Sequence, residues 1–311
     1  MPYGKTNGIV FYWDVQKREG IMDTVDLGSA ADVRRQLSEY GYLPDEHIAG
    51  TVHLAAALGK PVLVEGPAGT GKTELAKSVA AITDARLIRL QCYEGLDESR
   101  ALYEWDYRKQ LLAIQAARSA DDAGAIDAGI FDEKFLLTRP LLEAIRAKDR
   151  VVLLIDEVDR LDIETEALLL EILSDFQVSI PELGTVVATQ KPLIFLTSNN
   201  TRDLSEALKR RCLYLHVGYP SAERERDIVM SKVPGITEHV AGQVTAVVNS
   251  LRSMNLKKKP SISETLDWAR TLVLLGTEEV DVQTVVSHLH VLLKYQSDIE
   301  STTAELGTAH V

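Results

Sequence analysis

The sequence predicts an α/β fold, a P-loop NTPase core with a parallel sheet flanked by helices, followed by a small all-α domain. Three observations predict this. The glycine-rich stretch GPAGTGKT at 66–73 lies between an aliphatic strand pattern and a helical pattern. Residues 151–155 are five consecutive aliphatic residues, as in a central parallel strand that is buried on both faces. From about residue 220 onward only helical periodicity is found.

Hydrophobic periodicity and turn residues give the individual elements in the first half of the chain. They predict helices at 29–40 and 45–58, a strand at 61–65, a helix at 74–82, a strand at 87–90, a helical stretch at 96–118, a loop at 119–132 and a helix at 141–147.

The second half is assigned in the same way. After the strand at 151–155 come a helix at 164–175, a hairpin at 176–187, strands at 193–197 and 213–216, and helices at 221–232, 237–253, 262–275 and 281–296. The expected organisation is an N-terminal extension (1–27), an α/β nucleotide-binding core (28–218), a helical lid (219–297) and a polar C-terminal tail (298–311).

Composition narrows the possible functions. The 311 residues carry a formal net charge of −12, which argues against a nucleic-acid binder with a broad basic face. The two cysteines, Cys92 and Cys212, form no CxxC pair and are compatible with a reducing compartment. No apolar run reaches the length of a membrane span, so a cytoplasmic protein is expected.

The glycine-rich stretch has the residue types that a phosphate-binding loop needs. Its glycines permit positive φ and let backbone N–H groups face a phosphate, and the following helix adds its N-terminal dipole. Lys72 is expected to reach the β- and γ-phosphates of ATP, and Thr73 to ligand Mg²⁺. A chance match is the alternative, but the strand–loop–helix context favours a nucleotide site. The predicted binding residues are Gly66, Pro67, Ala68, Gly69, Thr70, Gly71, Lys72 and Thr73.

Two carboxylates end the aliphatic strand. Asp156 lies where open α/β sheets bind ligands, and it is expected to hold Mg²⁺ through water. Glu157 is the candidate general base for the attacking water. The alternative is a helix N-cap, a position that also favours acidic residues. A second carboxylate beside the metal ligand indicates hydrolysis rather than transfer to a small acceptor, hence an ATPase rather than a kinase.

Two further positions are weaker candidates. Asn199 follows the strand at 193–197 and is placed to contact the γ-phosphate or the attacking water; a simple turn residue is the alternative. Arg210 and Arg211 close a helix just before the last strand, where a guanidinium can stabilise transition-state charge, in its own site or in that of a neighbour. The alternative for both arginines is a cation at a helix C-terminus.

Taken in order, these motifs resemble those of the AAA+ ATPases, and among them the MoxR family. The match consists of GPAGTGKT, LLIDEVDR, FQVSIPELGTVVATQKPLIFLTSNN, SEALKRRC and a helical lid, over about 40–295. The stretches LQCYEGLDESRALYEWDYRKQLL (90–112) and FLLTRPLLEAI (135–145) resemble the MoxR-type ATPase of the carbon monoxide dehydrogenase accessory set.

The resemblance implies roles for single residues. Lys72 and Thr73 match the Walker A lysine and metal ligand, and Asp156 and Glu157 match the Walker B pair. Asn199 matches sensor 1. Arg211 matches the arginine finger that acts on a neighbouring subunit, with Arg210 as the adjacent alternative.

The resemblance also implies partners and an activity. It implies a ring homo-oligomer, most often a hexamer, that hydrolyses ATP to remodel a client. The client would be a metalloenzyme such as a molybdenum- and copper-containing carbon monoxide dehydrogenase, and a partner with a von Willebrand factor A domain would assist. A nucleic-acid motor or clamp-loader-like protein, and a slow nucleotide-gated scaffold, are the alternatives.

Two regions qualify the resemblance. Tyr103, Trp105 and Tyr107 fall in an insertion that faces the central pore in the family, so they are candidates for client contact, with packing as an equal alternative. The lid segment PSISET at 260–265 has no arginine where MoxR relatives carry sensor 2; Arg270 lies about two turns later.

Overall fold

A computed structural model describes residues 25–119 and 131–308. Most of the predicted N-terminal extension and of the predicted 119–132 loop lies outside the described residues. The strands are β1 (Val62–Glu65), β2 (Arg86–Gln91), β3 (Tyr103–Trp105), β4 (Leu136–Thr138), β5 (Val151–Asp156), β6 (Gln177–Ile180), β7 (Gly184–Val187), β8 (Leu193–Ser198) and β9 (Leu213–His216).

The helices follow the predicted order with few exceptions. They are α1 (Ala30–Glu39), α2 (Glu46–Leu58), α3 (Lys72–Ile82), α4 (Glu98–Ala101), α5 (Tyr107–Ser119), α6 (Pro140–Arg146), α7 (Ile163–Asp175), α8 (Glu206–Lys209), α9 (Ala222–Lys232), α10 (Glu238–Ser253), α11 (Ile262–Leu274), α12 (Val282–Leu292) and α13 (Gln296–Thr308). Within the described ranges, no helix combines the length and the apolar character needed to cross a membrane.

Five parallel strands form the central sheet, in the order β2-β5-β8-β1-β9. The predicted α/β class is therefore confirmed. Strand β1 lies between β8 and β9, with Glu65 opposite Ser198 and His216. Because all five strands are parallel, their carboxyl ends meet at one edge of the sheet, where open α/β sheets bind ligands.

Helices cover both faces of this sheet, and the side chains of β5 alternate between two cores. Leu153 and Ile155 pack in a cluster with residues of α6 and α7. Val152 and Leu154 pack in a second cluster with residues of α1, α2 and α3. All six residues of β5 are buried, so the interpretation of 151–155 as a doubly covered central strand is correct.

The C-terminal helices form a third cluster around Trp268, which is fully buried. A buried ion pair joins its elements: Nη1 of Arg252 on α10 lies 2.5 Å from Oε2 of Glu225 on α9, and Nη2 lies 2.8 Å from Oε1. Thr265 on α11 donates a third hydrogen bond to Glu225, over 2.8 Å. The domain boundaries named above stay a prediction.

The expectation of one helical stretch at 96–118 is wrong. A short helix α4 is followed by strand β3, which pairs antiparallel with β4, and α5 begins only after this strand. Aromatic residues favour strands, and Trp105 is buried against the sequence-distant segment that contains Phe135. A pairing partner some thirty residues away is invisible to local periodicity.

The C-terminal end also differs from the prediction. Helix α12 ends at Leu292, and the expected polar tail at 298–311 is helical as far as 308. Asp298 is buried and accepts hydrogen bonds from the backbone N–H groups of Lys257 and Lys258, each over 3.2 Å. Thr302 is fully buried. Helix α13 has few apolar residues for hydrophobic periodicity to detect. Part of its packing depends instead on the buried carboxylate of Asp298, which appears in the sequence only as a polar residue.

Candidate nucleotide-binding site

The loop of residues 66–71 joins the end of β1 to the start of α3 and packs tightly against its surroundings. A Cβ on Gly66 would lie 2.0 Å from the carbonyl oxygen of Val217, and a Cβ on Gly69 would lie 2.2 Å from Oγ of Ser261. Gly69 also has a φ of 74°, which favours glycine. Close approach of backbone to backbone, and of the loop to the start of α11, therefore requires glycine at both positions.

Lys72 is the first residue of α3, and its side chain is buried at the centre of the site. Its ammonium nitrogen donates to the carbonyl oxygens of Gly66 and Pro67, each over 2.7 Å, and to Oδ1 of Asn199 over 2.8 Å. Burial lowers the pKa of Lys72, while the neighbouring carboxylates oppose that shift. The first N–H groups of α3 have no intrahelical acceptor, so they are available to a ligand beside this cation.

Thr73 and Asp156 lie together, as the sequence predicts for residues that bind one metal ion. Oγ1 of Thr73 donates to Oδ1 of Asp156 over 3.0 Å, and Thr197 donates to the same oxygen. Asp156 ends β5 and is 3% exposed. A hydroxyl and a carboxylate are hard oxygen ligands of the kind that Mg²⁺ prefers, so these residues fit that ion.

Glu157 follows β5 in a left-handed conformation, with a φ of 58°. Its backbone N–H donates to Oγ1 of Thr197 over 2.9 Å, which fixes this turn. Its carboxylate accepts from Nε2 of Gln91 over 3.2 Å and lies 3.5 Å from Nε of Arg160. The candidate base is therefore at the sheet edge and close to Asp156, with its carboxylate facing the neighbouring strand β2.

Asp159 anchors the segment that carries Asn199. Its Oδ2 accepts from the N–H groups of Asn199 and Thr201, over 3.2 and 3.0 Å, and from Oγ1 of Thr201 over 2.6 Å. Burial opposes the charge of Asp159, but these hydrogen bonds outweigh it and hold its pKa below the ordinary value. Its buried Oδ1 has no hydrogen-bond partner within the described ranges.

Two adjoining cavities follow the loop. The larger has a volume of about 490 Å³ and lies between the core and the C-terminal helices, with Tyr42, Val217, Pro220, Ile228, Leu266 and Arg270 among its lining residues. The smaller, about 300 Å³, is lined by Lys72, Thr73, Arg89, Asp156, Glu157 and Asn199. Both share Gly69, Gly71, Glu74 and Ser263. The larger cavity, with its apolar side chains, suits the base of a nucleotide, and the smaller cavity, with its charged side chains, suits the phosphates.

The arginines predicted to assist hydrolysis lie elsewhere. Arg211 donates to the carbonyl oxygen of Ala207 over 2.8 Å and to Oγ of Ser174, and Arg210 has a side chain that is 81% exposed. Neither lines the two cavities. In contrast, Arg270 lines the larger cavity, where its Nη1 lies 3.0 Å from Oδ1 of Asp267. Among the described residues of one chain, the site thus contains the loop, the acidic pair and Asn199, but no finger arginine.

Four residues that take part in this site are not among those predicted from the sequence. Arg89 and Gln91 come from β2, Asp159 follows the acidic pair, and Ser263 on α11 lines both cavities. Alternation along β2 places positions 89 and 91 on the same face. That this face lies towards Asp156 and Glu157 follows from the pairing of β2 with β5, which the sequence pattern does not show.

The three aromatic candidates differ in exposure. Trp105 is 6% exposed and stacks edge-on against Tyr103, with ring centroids 6.3 Å apart, whereas Tyr107 is 62% exposed. Packing therefore accounts for Trp105. Tyr107 alone of the three is largely free on the surface, and its contact with a client stays a prediction.

The strand order, the glycine loop and the acidic strand end together define a P-loop nucleotide-binding fold. Residues 61–212, slightly less than half of the chain, match the family described as AAA domain (dynein-related subfamily). This segment is therefore an AAA domain, a class of nucleotide-binding domain, and it is followed by a helical region.

The sequence is distantly similar to two staphylococcal proteins. An uncharacterised protein of Staphylococcus aureus is 23% identical over 244 residues, which cover 75% of this chain and 85% of the relative. An uncharacterised protein of Staphylococcus haemolyticus is 24% identical over 239 residues, covering 75% of this chain and 82% of the relative.

Solved structures are similar at a comparable distance. A mutant of RuvB from Thermotoga maritima gives a TM-score of 0.48 at 17% identity, covering 85% of this chain and 70% of that chain. The AAA domain of FIGL-1 in complex with ADP gives 0.42 at 19% identity, covering 79% and 76%. Since both scores are below 0.5, the identification rests on the family match and the strand order.

Proposed function

We propose that this chain hydrolyses ATP as an AAA+ protein of the MoxR type. The observation that carries the proposal is the group of side chains around the smaller cavity. Lys72, Asn199, Thr73, Asp156 and Glu157 all line it, with Lys72 hydrogen-bonded to Asn199 and Thr73 to Asp156. A cation, a metal-ligand pair, an amide and a second carboxylate are the parts that phosphoryl transfer to water needs.

Each residue has a step in the proposed reaction. Thr73 and Asp156 would hold Mg²⁺, which when bound neutralises charge on the phosphate oxygens. Lys72 exchanges the carbonyl oxygens of Gly66 and Pro67 for the β- and γ-phosphates. Glu157 accepts the proton of the attacking water, and Asn199 orients that water or the γ-phosphate.

A ring homo-oligomer is part of the proposal. Arg210 is exposed and Arg211 half-buried, and neither lines the cavities of its own chain. A guanidinium supplied by a neighbouring chain would complete the site, and by resemblance the ring would be a hexamer. Closure between the core and the C-terminal helices would then shift the surfaces that contact a client.

The finer role follows from the resemblance of the sequence to MoxR proteins. We propose a chaperone-like remodeller that matures a metalloenzyme, such as a molybdenum- and copper-containing carbon monoxide dehydrogenase. A partner with a von Willebrand factor A domain would act with it, in the cytoplasm. The net charge of −12 speaks against the alternative of a nucleic-acid motor.

The experiment that tests ATP hydrolysis compares the wild type with Glu157→Gln. Phosphate release should fall by roughly 10²–10⁴-fold, because general-base help is typically of that size. ADP affinity should stay within a few-fold, since Glu157 is not expected to hold the nucleotide. A wild type that binds ATP tightly without releasing phosphate would instead favour a nucleotide-gated scaffold, or an enzyme that waits for its partner.

A further inference from the structure

A second cation of the smaller cavity, Arg89, lies beside Asp156, the carboxylate that is expected to hold the metal ion. Nε of Arg89 lies 3.0 Å from Oδ2 of Asp156, and Nη2 lies 2.5 Å from the same oxygen. The arginine comes from β2, the edge strand beside β5, where its neighbour Gln91 is in register with Asp156. Its side chain is 48% exposed, whereas that of Asp156 is 4% exposed. The carboxylate is thus fixed, and the arginine has room to move.

The two oxygens of Asp156 have different partners. Oδ1 accepts from the hydroxyl groups of Thr73 and Thr197, while Oδ2 accepts from Arg89. Lys72 donates its hydrogen bonds to two carbonyl oxygens and an amide, not to this carboxylate. Among the residues that line the smaller cavity, Arg89 is therefore the cation that directly neutralises Asp156.

This pairing matters because the same cavity has to accept phosphates. An unpaired Asp156 would repel a nucleotide until a metal ion covers it. A guanidinium keeps its charge at every working pH and binds a carboxylate with directed hydrogen bonds. An arginine on Asp156 therefore removes the repulsion before any metal ion arrives.

We propose that Arg89 is a positioning residue that holds the charge of Asp156 while the site has no metal ion, so that a nucleotide binds first and Mg²⁺ then takes over this carboxylate. The proposal rests on nucleotide binding at this site, as argued under the proposed function. It adds that nucleotide binding without metal depends on Arg89 acting through Asp156.

The test is the affinity for ADP, measured by calorimetry with Mg²⁺ and with EDTA, so that no turnover is involved. Arg89→Gln should weaken ADP binding in EDTA by roughly tenfold and change it little in saturating Mg²⁺, because the metal ion then neutralises Asp156. The magnitude is that of a half-exposed ion pair near other charges. Arg89→Lys keeps the charge and should retain most of the affinity in EDTA.

Arg86 offers a matched control. It lies on the same strand and its Nε is 3.0 Å from Oδ2 of Asp149, a side chain that is 57% exposed. Arg86→Gln removes the same charge outside the two cavities and should leave ADP affinity unchanged in both solutions. The double variant Arg89→Gln with Asp156→Asn should bind ADP in EDTA nearly as well as the wild type, because no unpaired carboxylate remains.

Two results would overturn the inference while leaving nucleotide binding intact. One is an equal loss in EDTA and in Mg²⁺, which would make Arg89 a direct phosphate ligand. The other is a loss in EDTA that Asp156→Asn does not relieve. If the wild type binds ADP in neither solution, the proposed function fails as well, so the two failures are distinguishable.

Discussion

The ammonium nitrogen of Lys72 lies 2.8 Å from Oδ1 of Asn199, although 127 positions separate the two residues in the chain. Parallel pairing of β1 with β8 brings them together, because Glu65 and Ser198 are opposite each other at the ends of these strands. The phosphate-binding loop and the polar end of β8 therefore form one structural unit.

This contact predicts the effect of Asn199→Ala. The variant should release phosphate roughly 10²-fold more slowly, the usual cost of removing one polar group that stabilises a transition state. ADP affinity should change by no more than a few-fold, because Lys72 keeps its other contacts. Steady-state phosphate release and an ADP titration measure the two effects.

A neighbouring asparagine provides the control for that variant. Asn200 is exposed and has a φ of 57°, so Asn200→Gly removes an amide without straining the backbone. It should retain wild-type turnover. Equal losses in the two variants would show that the segment, and not the Asn199 amide, matters.

Gly69→Ala should disturb the contact between the phosphate-binding loop and the start of α11. The new Cβ would lie 2.2 Å from Oγ of Ser261 in a residue whose φ is 74°. The variant should unfold at a lower temperature and bind ADP more weakly. Gly95→Ala is the matched control, since Gly95 has a φ of 80° and a Cβ there would meet nothing within 4 Å.

The comparison separates backbone strain from collision. Left-handed strain costs an alanine about 1–2 kcal/mol, and both variants should show it. Only Gly69→Ala should lose ADP affinity, and Ser261→Gly in the same chain should restore part of it. The contact would have no role if Gly69→Ala bound ADP as well as Gly95→Ala does.

Asp159→Asn should destabilise the fold and slow turnover together. Loss of charge-assisted hydrogen bonds to Asn199 and Thr201 should lower the free energy of unfolding by about 1–3 kcal/mol at neutral pH. The folded pKa of Asp159 is lowered, so this stabilisation is complete above the ordinary value of 3.8 and decreases as the pH falls through the folded pKa.

Urea unfolding at neutral and acid pH measures this difference. Asp175→Asn, at an exposed position at the end of α7, changes the same residue type and should have little effect. If the wild type and Asp159→Asn differ by the same amount at pH 3 as at pH 7, the ionised carboxylate is not the source of the stabilisation.

The buried pair between Arg252 and Glu225 should behave as a coupled unit. Arg252→Met leaves Glu225 buried and uncompensated, which should cost about 3–5 kcal/mol. Adding Glu225→Leu should recover part of that loss, because no unpaired charge remains. A double-mutant cycle by chemical unfolding gives the coupling; additive losses would show that the two side chains contribute independently.

The sequence was most informative where chemistry is local. A glycine loop, an aliphatic strand and two carboxylates are contiguous patterns, so the turn at 66–71, β5 and the position of the two carboxylates at its end were predicted from local sequence. The strand β3 was not, because its partner β4 begins at residue 136. Helix α13 was missed because Asp298 is fixed by the backbone of 257 and 258.

The same distinction explains the missing site residues. Arg89, Gln91 and Asp159 acquire meaning only from the strand order, which sets β2 beside β5 and β5 beside β8. The sequence itself shows that segment 260–265 contains no arginine. The positions of Ser261 against Gly69 and of Ser263 at both cavities could not be predicted, because they depend on the packing of α11 on the loop.

A mixing experiment tests the central claim, that ATP is hydrolysed in a site shared between chains, most directly. Glu157→Gln lacks the base but retains Arg211, and Arg211→Ala lacks the finger but retains the base. Each should be inactive alone while still binding ADP. Mixed chains should recover part of the phosphate release of the wild type, because some interfaces then contain both groups. The claim would be contradicted if the mixed variants stayed inactive at every ratio while the wild type released the same amount of phosphate per chain at every protein concentration.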